Sequence, residues 1–189
     1  MPFMRRRLFS LAVLVVTLIT PLSIAGGVSA QAVPVDTINV SVSVRVDGVS
    51  KNTLYGFLTN LENDALWYPG IISSEKVKSG PRGRLVGSRY HQVAYVTPTL
   101  TTNTDIDVLG AVSNNLFLIK GDGDLADYTA LYTFSKAANG SGVWTLTAQY
   151  KAPGFTEEIF RQYITFAMNS LIAYYNTTGE VTVHYLNIK

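Results

Sequence analysis

His91 has the side chain best suited to moving a proton near neutral pH, and it lies on a stretch that also carries Arg89 and Tyr95. Positions two apart share one face of a strand, so these three side chains form a single polar line. An imidazole titrating at about 6.5 can act as a general base, while the guanidinium and phenol can hydrogen-bond a ligand carbonyl or carboxylate. This chemistry requires the line to point into a cavity. If Tyr90, Gln92 and Ala94 face inward instead, His91 is a solvated surface residue. A lone histidine without a positioned partner leaves both alternatives open, so the catalytic residues are unknown and Arg89, His91 and Tyr95 are the candidates.

The other polar clusters point to surface roles. Asn103, Asp105 and Asp107 alternate with Thr104, Ile106 and Val108, and the apolar set belongs inside, which puts the acids in solvent. Asp122, Asp124 and Asp127 with Gly121 and Gly123 lack the ligand spacing and closing glutamate of a calcium loop, and suit a hairpin turn. Lys76, Lys78, Arg82, Arg84 and Arg89 surround a glycine-rich loop and read as a solvated hairpin, with transient contact to the acidic headgroups of a membrane surface, or to an acidic ligand at a cavity mouth, as the alternative. There is no Gly-x-Ser-x-Gly elbow, phosphate loop or His-Glu-x-x-His helix. The sequence has 0 cysteines, which excludes disulfides, thiol catalysis and thiolate metal sites. No metal or cofactor is expected.

A second kind of site is made of aromatics. Trp144, Leu146, Ala148 and Tyr150 share one strand face, as do Tyr128, Ala130, Tyr132 and Phe134. Large rings alternating with alanine leave room for a guest, although each ring taken singly is also ordinary core. Tyr163, Ala167, Met168, Leu171, Ile172 and Tyr175 recur at helical spacing and extend the candidate lining, and Trp67 with Tyr68 would gate or plug its entrance.

These side chains are positioned by a chain of 189 residues that is 47% apolar and 15% charged, a composition that excludes disordered, collagen-like and coiled-coil proteins. Arg5, Arg6 and Arg7, the apolar run from Leu8 to Thr20, and Val28-Ser29-Ala30 before Gln31 fit a secretory signal peptide over residues 1–30, cut after Ala30. Retention as an anchor is the alternative, and Arg6-Arg7-Leu8-Phe9 resembles a twin-arginine export signal. Without the leader, Lys plus Arg drops from 15 to 12 against 13 acids, and the net charge moves from +2 to −1. That near-neutral remainder lacks the basic footprint of a nucleic-acid binder. The expected localisation is therefore secreted or periplasmic. Asn39, Asn139 and Asn176 each begin an N-glycosylation sequon, which matters only in a eukaryotic source.

Residues 31–37 read as a tether and 38–189 as one domain. Val40, Val42, Val44 and Val46 alternate with polar residues, which predicts a half-buried strand. Ser50 caps a short helix carrying Leu54, Phe57, Leu58 and Leu61, and Trp67-Tyr68-Pro69-Gly70 ends the helical stretch. Turn signals from Ser79-Gly80-Pro81 to Asn139-Gly140-Ser141-Gly142 divide residues 71–150 into about six antiparallel strands. A long amphipathic helix follows over 156–176, with Gly179 as its stop and a weakly alternating tail over 181–188. An antiparallel sheet cannot leave its apolar face wet, so the long helix must lie across it.

The residues that carry a family resemblance are Phe57-Leu58-Thr59-Asn60-Leu61-Glu62-Asn63, Trp67-Tyr68-Pro69-Gly70, Gly87-Ser88-Arg89-Tyr90, and Tyr150-Lys151-Ala152-Pro153-Gly154 ahead of the long helix. In that order they resemble the START-like or SRPBCC superfamily, the polyketide cyclase/dehydrase and lipid transport group that includes Bet v 1-like proteins. The resemblance implies an α+β helix-grip fold, with a curved antiparallel sheet of about seven strands around a long C-terminal helix and two short helices after the first strand. It also implies a cavity for a lipid, sterol, quinone or polyketide-like molecule. The leader and the possible strand after the last helix depart from the common pattern. The expected function is binding or transport of a lipophilic small molecule, without catalysis, and a cyclase/dehydrase-type enzyme is the alternative. Oligomeric state is not readable from the sequence.

Overall fold

The computed structural model describes residues 37–151 and 157–188. The leader, most of the tether and the Pro153-Gly154 turn lie outside these described residues. Strand β1 (Thr37–Val46) buries every second side chain, Ile38, Val40, Val42, Val44 and Val46, as its period of two requires. Helix α1 (Lys51–Leu58) starts where the Ser50 hydroxyl oxygen accepts the Thr53 N–H at 3.1 Å, and it buries Leu54 and Leu58. A 3₁₀ turn (Leu61–Asn63) leads into the one-turn helix α2 (Asp64–Trp67). Gly70, at φ 86°, then turns the chain into the sheet, a conformation that costs glycine nothing.

Strands β2 (Ile71–Lys78), β3 (Arg89–Thr97), β4 (Leu100–Val112), β5 (Leu116–Gly123), β6 (Asp127–Lys136) and β7 (Gly142–Lys151) form the antiparallel meander. Helix α3 (Glu157–Tyr174) follows, and strand β8 (Gly179–Ile188) closes the order. The spatial order is β2-β3-β4-β5-β6-β7-β1-β8. The sheet is open, with β2 and β8 at its edges. The sequence suggests about seven strands, and the eighth is its weakly alternating tail, which pairs along the whole of β1 from Ile38 opposite Ile188 to Val46 opposite Gly179.

The end of α3 also differs from expectation. Asn176, at φ 51°, makes the left-handed turn, because its short side chain tolerates that region. Gly179 instead opens β8, where a side chain would run into the Arg45 carbonyl and Ile172. Helix α3 buries Phe160, Ile164, Ala167, Met168 and Leu171 on one face, in a single core with β1 and the inner faces of β3 to β7. Phe57 of α1 stacks on Tyr174 at 4.8 Å, so the C-terminal ends of α1 and α3 meet.

Tyr90 is fully buried, yet its hydroxyl has no hydrogen-bond partner among the described residues. A buried polar group left unpaired costs more than its removal. Tyr90→Phe is therefore expected to leave stability unchanged or raise it by about 1 kcal/mol, read as a higher urea midpoint. A loss of more than about 1 kcal/mol would mean that the hydroxyl is bonded in solution.

Candidate ligand site between sheet and helix

The first question is which side of β3 faces the helix. Tyr90 and Gln92 are buried, whereas Arg89 and Tyr95 are exposed. Arg89 donates to both carboxylate oxygens of Asp107, at 2.8 and 2.7 Å, and His91 Nδ1 lies 2.8 Å from Asp105 Oδ1. Arg89, His91 and Tyr95 thus belong to the outer face, where the first two are held in cross-strand pairs with the acids of β4. This corrects their candidacy as cavity chemistry, because none of them reaches the interior. The Asp122–Asp127 segment is a strand connection, in which Asp124 Oδ2 accepts the backbone N–H of Asn103 at 2.9 Å.

The inner face is lined by tyrosines. Tyr128 and Tyr132 of β6, Tyr150 of β7, Tyr163 of α3 and Tyr68 after α2 point between sheet and helix, and each keeps part of its surface accessible. Burial nonetheless raises the pKa of every one of these phenols, most strongly for Tyr68, Tyr128 and Tyr132. Surface that is accessible but poorly hydrated is sheltered surface. The same phenols act on one another, Tyr68 with Tyr163, Tyr150 and Tyr132, and Tyr128 with Tyr150 and Tyr163, so their hydroxyls converge on one region.

The rings form two contacting groups. Tyr163 lies 6.2 Å from Tyr68, Tyr68 5.1 Å from Trp67, Trp67 5.8 Å from Trp144, and Trp144 5.1 Å from Tyr132. In the second group Tyr150 meets Tyr128 at 5.4 Å and Phe160 at 5.2 Å. Gly121 on β5 gives the Tyr128 ring its place, since a side chain there would occupy the same space.

Other expected lining residues are packed instead. Ala167, Met168 and Leu171 keep 0% of their surface, so they border no space large enough for water. Trp144, Leu146 and Phe134 are nearly as buried, at 1%, 3% and 5%. The alternation that marks these positions identifies the inner face but does not separate core from lining. Trp67 is buried, not a gate: its indole N–H donates to Asp64 Oδ1 at 3.2 Å.

Asp64 is the site residue that sequence analysis missed. Its Oδ2 accepts the Gln92 amide N–H at 2.7 Å, and the same amide nitrogen reaches Ser74 Oγ at 3.1 Å. Burial pushes the Asp64 carboxyl up to about 7, against the lowering effect of its bonds from Gln92 and Trp67. It adjoins the ring wall through the Trp67 indole, which meets Tyr68 and Trp144, and its charge helps raise the pKa of the Tyr128 and Tyr132 phenols.

No protein-family model matches the sequence, and no curated protein sequence matches it either. Solved structures do. A START superfamily protein from Mycobacterium smegmatis aligns over 73% of this chain and 94% of its own, with a TM-score of 0.60 at 13% identity. The chain has a START-like helix-grip fold. Ara h 8.0201 shares this fold over 72% of this chain and 97% of its own, with a TM-score of 0.55 at 13% identity. So does the di-domain ARO/CYC StfQ from the steffimycin biosynthetic pathway, over 72% of this chain and 45% of its own, with a TM-score of 0.55 at 9% identity. At such identities the START-like likeness concerns the backbone and transfers no residue roles. The tyrosine wall and Asp64 therefore stand on this chain's own geometry.

Proposed function

We propose that this START-like protein binds a lipophilic, ring-containing small molecule between its sheet and α3, and that it is exported by a leader over residues 1–30. The observation that carries the binding proposal is the set of five sheltered tyrosines whose surface is neither packed away nor open to bulk water. A space with aromatic walls and a few polar groups suits an apolar body bearing hydrogen-bonding atoms. The phenols stay neutral at physiological pH and offer both donors and acceptors. Carrier function fits better than cyclase or dehydrase chemistry built on His91, which lies on the outer face.

Native mass spectrometry of the protein isolated from its own source tests both parts. The expected mass corresponds to a chain beginning at Gln31 plus one lipophilic molecule, recoverable by organic extraction. A mass retaining residues 1–30 would overturn the export proposal. A bare protein that also fails to bind the neutral dye Nile red would overturn the binding proposal.

A further inference from the structure

We propose that the tyrosine-lined space takes a protonated amine carried on an aromatic or apolar body, with Asp64 as its counter-ion. This rests on the ligand-binding proposal above and gives that ligand a charge and a chemical class.

Charge is the first ground. Asp64 brings an acid to the inner side of the fold, where the sheet supplies almost no opposite charge. On the inward positions of β3, β4, β5, β6 and β7 the one cation among the described residues is Lys136, at the far end of β6. Lys76 of β2 shares the inner side but remains exposed over the Tyr90 ring, 5.3 Å from its centre. The groups that bond Asp64 are the Gln92 amide of β3 and the Trp67 indole of α2, and the titratable groups that feel its charge are the phenols of Tyr128 and Tyr132 on β6. All are neutral. Two hydrogen bonds hold the carboxyl in place, and each oxygen retains a lone pair for a further donor.

The surrounding rings are the second ground. Aromatic faces carry negative potential and attract cations, more strongly where water is excluded. The Trp67 indole that bonds the carboxyl meets Tyr68 and Trp144 edge to face, and Tyr132 lies beyond Trp144, so an ammonium at the carboxyl would meet a counter-ion beside a ring wall. A carboxylate ligand would meet Asp64 itself, with no cation on the inward positions of β3, β4, β5 and β7 among the described residues.

The test compares 2-phenylethylamine, 2-phenylethanol and phenylacetate, read by quenching of tryptophan fluorescence and by displacement of Nile red. At about pH 8 the amine is expected to bind at least tenfold tighter than the alcohol, and phenylacetate more weakly than both. Asp64→Asn, shown to be folded by circular dichroism, should bring the amine down to the alcohol and leave the alcohol unchanged. The wild-type protein gives a second readout that needs no variant: amine affinity should fall towards about pH 5, as the carboxyl takes up its proton, while alcohol affinity stays level. Equal binding of amine and alcohol at pH 8, or preference for phenylacetate, overturns the amine inference while Nile red binding still upholds the cavity. Loss of Nile red binding itself would overturn the cavity, and the amine inference with it.

Discussion

Raising the pH from about 4 to about 8 is expected to destabilise this protein, and Asp64→Asn is expected to abolish that loss. Asp64 titrates at about 7 in the fold and near its ordinary value of 3.8 once unfolded. Between those values the folded chain holds a proton that the unfolded chain has released. Stability therefore falls as pH rises through that window, by at most about 1.4 kcal/mol per pH unit. Below the unfolded value both states are protonated and the penalty is absent, whereas above the folded value it is fully present. The Arg89 guanidinium holds Asp107 below the usual carboxylate range, and bonds from Thr178 and Arg45 do so for Asp47. Their effect has the opposite sign and is confined to acid below the ordinary carboxylate range. Urea midpoints measured across the window should slope downward for the wild type and lie flat for Asp64→Asn. A wild-type midpoint that is level or rises between about pH 5 and 7 would show that the carboxyl is solvated.

Leu171→Ala should cost about 2–5 kcal/mol of stability. Leu171 keeps 0% of its surface and lies on the buried face of α3 with Ile164, Ala167 and Met168. Removing its isobutyl group takes away apolar burial and leaves a hole that a helix held along its length cannot close. His91→Ala provides the contrast, because its Asp105 pair is exposed and such pairs contribute little. Chemical denaturation of the two variants side by side makes the comparison. An effect of Leu171→Ala below about 1 kcal/mol would mean that α3 is not seated on the sheet as described.

Much of this architecture was legible because alternation and helical spacing report burial directly. The valines of β1, the aromatic faces of β6 and β7 and the apolar stripe of α3 all fall where their periods place them. The inner face of β3 was left open, although the sequence held a signal that decides it. Arg89 and His91 are two apart, as are Asp107 and Asp105, and antiparallel pairing sets Arg89 opposite Asp107 and His91 opposite Asp105. Since Ile106 and Val108 claim the inside of β4, the acids go outside and draw the cations with them. Asp64 offered no such signal. It follows Glu62 and Asn63 in a polar stretch, and only the approach of Gln92, itself bonded to Ser74 of the neighbouring strand, makes it a half-buried, desolvated acid. Long-range pairing of that kind leaves no local period.

The position of β1 bears on how the chain reaches this state. Although it comes first among the described elements, it lies between β7 and β8, so Val44 pairs with Trp144 on one side and with Val181 on the other. Both partners come from late in the sequence, and closing such long loops is slow compared with forming the β2–β7 meander. During synthesis the alternating valines of β1 have no mate until nearly the entire domain has been made. The last described strand to be synthesised thus covers the first, and until it arrives that side of β1 is an open strand edge in need of protection.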